Sequence, residues 1–157
     1  MTTYSSDKIS AGSMKTLPLG YSQGILATCA LPTTLALNDI AQMVKLEGNP
    51  SSVNNGPTIT GISLGADALD SGNTLTLDVG DTTTAQKFIA ASTIGQAGGK
   101  VSGTTISCLG YSPFASSYGT YTTVSLQTYL IQVKVHAAPT TAAAGNIRLL
   151  VDFNIDP

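Results

Sequence analysis

I-R-L-L-V-D-F-N-I, residues 147–155, alternates in character with a period of two. Ile147, Leu149, Val151, Phe153 and Ile155 fall on one side, and Arg148, Leu150, Asp152 and Asn154 on the other. Successive side chains of a strand point to opposite faces of a sheet, so this segment reads as a strand with an apolar inner face. Leu150 breaks the polar side, which predicts that part of the outer face is covered. Residues 129–136, Y-L-I-Q-V-K-V-H, repeat the pattern, with Ile131, Val133 and Val135 inward and Gln132, Lys134 and His136 outward. Residues 74–79, T-L-T-L-D-V, do so again, with Leu75, Leu77 and Val79 inward and Asp78 on the polar face.

Outward from these three segments, further strands are expected at 24–31, 58–64, 87–91, 104–109 and 122–126. Stretches rich in Gly, Pro, Asn, Ser, Ala or Thr separate them at 48–57, 96–100, 112–120 and 137–146. The strands on either side of 137–146 are expected to form a hairpin. L-A-L-N-D-I-A-Q-M-V-K-L at 35–46 admits a short helix from Ile40 capped by Asn38 and Asp39, or a strand with Ile40, Val44 and Leu46 on one face. Its β-like neighbours favour the strand. Many short strands with such punctuation predict an all-β fold: a single-domain antiparallel β-sandwich, jelly-roll-like, with an extended N-terminal arm. The boundary falls after residue 23. Residues 1–23 are polar with isolated apolar side chains, and read as a tail or as an arm that orders on a neighbouring subunit through Tyr4, Ile9, Met14 and Leu17. Residues 24–157 form the sandwich.

The chain has 157 residues, enough for one domain with a real core. Only 10% are charged, against roughly 25% in an ordinary soluble domain. Interface cores are poor in charge, so this suits a surface largely set against partners; a Thr/Ser-rich β domain has the same composition. Seven scattered Lys and Arg and a net charge of −2 argue against nucleic-acid binding, which needs a basic patch. No membrane span is expected, because the apolar stretch at 24–37 is interrupted by Pro32 and too short. G-I-L-A-T-C at 24–29 has the ending of a lipoprotein cleavage site without the apolar run that must precede it. Cys29 and Cys108 lie in no zinc or redox spacing, and read as buried free thiols or as one disulfide.

No catalytic, phosphate-binding or dinucleotide motif occurs, so no enzyme and no cofactor is expected. The single histidine, His136, has no partner at a metal or triad spacing. Asp67, Asp70, Asp78 and Asp81 are four of the nine acidic residues. Their spacing fails the calcium loop, which needs a glutamate at its twelfth position. They read instead as turn chemistry: Asp70 and Asn73 bonding nearby N–H groups, Gly72 taking a positive φ, and Gly80-Asp81 opening the next turn. A calcium site of another geometry is the main alternative; paired-carboxylate glycosidase chemistry is the lesser one, since aromatics for a sugar cleft are few and Trp is absent.

The succession L-A-L-N-D-I-A-Q-M-V-K-L, I-T-G-I-S-L-G-A-D-A-L-D-S-G-N-T-L-T-L-D-V-G-D, K-F-I-A-A-S-T and G-N-I-R-L-L-V-D-F resembles the small structural proteins of tailed bacteriophages, over about residues 33–153. Such proteins are commonly head decoration or cement proteins. The resemblance implies a non-enzymatic virion protein assembled in the host cytoplasm. It would sit on the capsid exterior, bind the major capsid protein and form a homo-oligomer, trimeric or otherwise. A second reading is a β-sandwich module of a tail fibre or surface appendage that binds glycan. Tyr111, Phe114, Tyr118 and Tyr121 would then stack on sugar rings; they serve equally as anchors in a partner's pocket or as a cover over the core.

Overall fold

The structure is a computed structural model and describes residues 1–10, 22–47, 58–103 and 128–154. Among these, nine strands and two four-residue helical turns follow in the order β1 (Thr3–Ser5), α1 (Asp7–Ser10), β2 (Ser22–Leu31), β3 (Ile40–Glu47), β4 (Thr58–Ala66), β5 (Thr76–Gly80), β6 (Ile89–Ser92), α2 (Ile94–Ala97), β7 (Gly99–Ser102), β8 (Thr128–Ala137) and β9 (Gly145–Asn154). They form two sheets. One has the order β1-β3-β8-β5-β6 and the other β2-β9-β4-β7. Every strand pair is antiparallel except β1 with β3.

The inner rows are those the alternation predicts. Ile147, Leu149, Val151 and Phe153 of β9 are buried, as are Ile131, Val133 and Val135 of β8 and Leu77 and Val79 of β5. Leu75, just before β5, is buried with them. Ala27 and Cys29 of β2 and Ile59, Ile62 and Leu64 of β4 complete the second wall, and Leu35, Leu69 and Phe88 join the same core. Burying a large aliphatic or aromatic side chain contributes roughly 1.5–3 kcal/mol, so these two apolar walls hold the sheets together. Cys29 is a free, buried thiol, raised above the ordinary thiol range by burial and by the charge of Asp7; Cys108 lies outside the described residues.

Three local expectations change. Residues 35–46 do contain a strand, but Ile40 does not share a face with Val44 and Leu46. A bulge between Gln42 and Val44 adds one residue, so Ala41 pairs with Val133 and Val44 with Ile131, and Met43 is buried as well. β8 and β9 are not a hairpin. β8 lies between β3 and β5, and β9 lies between β2 and β4 in the other sheet. Residues 138–144 therefore cross from sheet to sheet. Finally, β7 and the turn α2 occupy a stretch expected to be loop. The expected strands at 104–109 and 122–126 lie outside the described residues.

Candidate interaction surfaces

The acidic residues of 66–81 do not converge. Among the described residues no three metal-ligating side chains come together. Each carboxylate is instead turned onto donors of the protein. Asp70 is fully buried. It accepts from the N–H groups of Gly72 and Thr74 at 2.8 Å, Leu75 at 2.8 Å and Thr141 at 3.0 Å, and from the Thr74 hydroxyl at 3.1 Å. Burial pushes its pKa up, but the N–H groups of Thr141, Leu75, Thr74 and Gly72 outweigh burial and hold it well below the usual carboxylate range. The Asp70 part of the expected turn chemistry is present, and the positive φ falls on another residue. Asn73 carries the positive φ of 58°, and Gly72 is needed because a Cβ there would collide with the Thr140 hydroxyl. Asp67, half-exposed, accepts from the Arg148 guanidinium at 2.8 Å and from the Asn146 N–H at 2.9 Å; these two lower its pKa in that order.

Asp78 was expected on a polar, open face. It lies on the outer side of its sheet but is buried, because the chain from Asp81 to Ala91 folds over it. Its carboxylate accepts from the N–H of Ala91 at 2.7 Å and the Gln86 amide at 3.3 Å, and pairs with His136 Nδ1 at 3.0 Å. His136 is thus the half-exposed partner of a buried carboxylate. Asp81, at the end of β5, accepts from the N–H groups of Thr83 and Thr84, the Lys87 ammonium at 2.8 Å and the Tyr129 hydroxyl at 2.7 Å. Burial raises its pKa; Lys87, Thr83, Tyr129 and Thr84 reverse this and hold it below the usual range. Gln132, also expected outward, is buried and donates to the Asp81 carbonyl at 3.1 Å.

At the N-terminus, Thr3–Ser5 adds a parallel strand to β3, pairing with residues 40–42. Tyr4 packs against the core, and its hydroxyl donates to Asp39 at 3.3 Å. Asp39 is itself buried and accepts from the N–H groups of Thr2 and Ala36. Burial raises its pKa, and these bonds, with the nearby terminal amine, lower it overall. Ile9 is half-buried in α1. Met14, Leu17, Tyr111, Phe114, Tyr118 and Tyr121 lie outside the described residues. The sequence admits Asp39, with Asn38, as a helix cap; it does not reveal a latch on Thr2 and Tyr4, 37 and 35 positions away.

The outer face of the four-stranded sheet is more open. Register places Gly24, Asp152 and Gly61 in one cross-strand row, Leu26, Leu150, Ser63 and Ser102 in the next, and Thr28, Arg148, Gly65 and Lys100 in the third. Leu26 is 53% exposed, unusual for a leucine in mid-strand.

No family model and no curated protein matches the sequence. Solved structures do. The chain is similar to one in the capsid of Ralstonia phage GP4, at 26% identity and a TM-score of 0.75 over 99% of both chains. It is also similar to one in the capsid asymmetric unit of cyanophage Pam1, at 25% identity and a TM-score of 0.65, over 92% of this chain and 95% of that one. The sandwich assembled from these strands is, end to end, a fold found in the capsids of two bacteriophages.

Proposed function

We propose that this chain is a non-enzymatic structural protein of a bacteriophage virion, and that it decorates or cements the head by binding the major capsid protein on the capsid exterior. The observation that carries the reading is the full-length likeness to chains of two phage capsids. The match spans the entire sandwich rather than one motif, so what is shared is the whole unit. Three features of the chain support a structural role. Charge is sparse. Asp70, Asp78 and Asp81 are spent on internal hydrogen bonds, and among the described residues no three acidic or metal-ligating side chains cluster. Among the described residues, the lone histidine is paired to the buried carboxylate of Asp78 and the Gln86 amide, with no hydroxyl or thiol hydrogen-bonded to it. The same likeness favours this reading over a glycan-binding module.

The decoration role is tested with expanded capsid shells that lack the protein. Purified protein added to such shells should co-sediment at a fixed stoichiometry and raise the temperature at which they break. Protein that stays in the supernatant at saturating concentration would show that the head-decorating role is wrong. Aromatic truncations at Tyr118 and Tyr121 should weaken shell binding if that cluster is an anchor. Glycan binding that the same truncations abolish would instead favour the appendage module.

A further inference from the structure

Three glycines stand in strand interiors on the outer face of the four-stranded sheet: Gly24 in β2 and Gly61 and Gly65 in β4. Glycine weakens a strand and often marks a bulge or a place where another chain comes close. Gly61 sits at a bulge. Gly24 and Gly65 do not, and both flank a charged residue of the central strand. Gly24 and Gly61 bracket Asp152: a Cβ would stand 2.9 Å from Oδ1 on one side and 3.1 Å from Oδ2 on the other. Gly65 lies beside Arg148, whose Nη1 is held by Asp67. A guanidinium has five donors, so others are left to give. The Asp152 carboxylate has no hydrogen-bond partner among the described residues.

The outer rows differ in charge, although Asp67 on Arg148 and Asp7 on Thr28 offset part of the basic row. Arg148 and Lys100 occupy one outer row and Asp152 the other, with Leu26 and Leu150 between them. Positions two apart in a strand are separated by roughly 6.6–6.8 Å. A second copy can stack on the face about a two-fold axis lying between the sheets in either of two ways. With the axis along the strands, Asp152 meets Asp152 and Arg148 meets Arg148. With the axis across the strands, through the Leu26–Leu150–Ser63 row, each Asp152 meets the other copy's Arg148. The leucines then meet their own counterparts. Only the second arrangement joins opposite charges, and it does so twice.

We propose that this face is the self-association surface of the chain, with two copies stacked sheet on sheet about a two-fold across the strands. The face offers four strands about 4.8 Å apart and up to about 33 Å long, on the order of 600 Å², close to the roughly 800 Å² per partner of a standard interface. The opposite sheet is less available, because residues 81–91 fold over it and bury Asp78 and Gln132. The proposal stands apart from the capsid reading, since it uses only the chain's own register and charges.

Sedimentation velocity on the full chain across the micromolar range tests it. Wild type should be dimeric, and more weakly so at high salt. Asp152→Arg and Leu26→Arg should each sediment as monomers with an unchanged β-sheet circular dichroism spectrum; Leu26 is exposed, so its variant keeps the fold. Arg148→Asp should also be monomeric, and mixing it with the Asp152→Arg chain should restore a heterodimer. A monomeric wild type overturns the proposal. So does an oligomer that Asp152→Arg and Leu26→Arg leave intact, because another surface must then hold it. If wild type is monomeric and Leu26→Arg loses shell binding, the proposal falls and the face belongs to the capsid protein.

Discussion

Asp70→Ala is expected to lower the melting midpoint by more than about 10 °C, measured by circular dichroism at neutral pH. Its carboxylate satisfies four backbone N–H groups and one hydroxyl from two separate segments, 72–75 and 141. Removing it leaves the buried Leu75 N–H without a partner and the N–H groups of Gly72, Thr74 and Thr141 without their common acceptor, and unmade bonds to buried groups cost more than made ones contribute. The damage spreads, because the same region holds the crossover between the sheets. Ser71 donates to the Thr141 carbonyl, Ala143 to the Leu69 carbonyl, and Asp70 itself bridges to Ala142. A variant melting within a few degrees of wild type would show that the crossover is held by its backbone bonds alone.

Acid should act through the same carboxylate. Its folded pKa lies below the unfolded value of about 3.9. Stability from a depressed pKa is present above the unfolded value and lost as pH falls toward the folded one. Asp81 is shifted the same way. The melting midpoint should therefore hold near neutrality and fall below about pH 5. Asp70→Asn should start lower and fall less steeply, with Asp81, Asp39, Asp67 and Asp7 supplying the remaining slope. Parallel curves for the two proteins would remove Asp70 as a source of the acid sensitivity.

Gly80→Ala is expected to cost at least about 3 kcal/mol in urea denaturation. A Cβ at this position would stand 2.0 Å from the Thr84 carbonyl oxygen and 2.5 Å from the carbonyl carbon of Ala85. Both are backbone atoms, so no side chain can swing away. The turn is pinned on each side: Asp81 N–H donates to the Thr84 carbonyl, and Phe88 N–H to that of Val79. Making room means lifting the segment that buries Phe88 and supplies Lys87 to Asp81. Gly65→Ala is the control. Its nearest atoms lie at 3.7–3.9 Å, and it should change stability by less than about 1 kcal/mol. Equal effects at the two positions would mean that strand entropy, not the clash, sets the cost.

The inner rows were legible because burial leaves a period-two trace. Ile147, Leu149, Val151 and Phe153 could be assigned to the core from their spacing alone. Sheet membership leaves no such trace. The inner faces of β8 and β9 look alike whether the strands are partners or face each other across the core, so the crossover read as a hairpin. One added residue at Met43 was enough to move Ile40 to the other face. β1 pairs through its backbone at a sheet edge, and three residues of T-Y-S carry no hydrophobic pattern. Asp78 and Gln132 occupy polar positions in the alternation, and only the fold of residues 81–91 over them makes those positions buried. The candidate self-association face was hidden for a different reason. Gly24, Gly61, Asp152 and Arg148 come from distant stretches, and only strand register brings them into rows.

The placing of β9 also governs the order in which the molecule can form. β2 and β4 are 26 residues apart by the end of one and the start of the other, yet they never pair; each pairs with β9. While the chain is being synthesised, β2 must wait for its partner, and β4 with one edge open beside β7, until residues 145–154 leave the ribosome. The four-stranded sheet then closes in a single late step, with contacts that span most of the chain. Such long-range closure is slow, and the waiting strands expose apolar rows that other nascent chains can capture. Among the described strands, a chain interrupted before residue 145 retains only the β4–β7 pairing of that sheet and lacks the central strand β9.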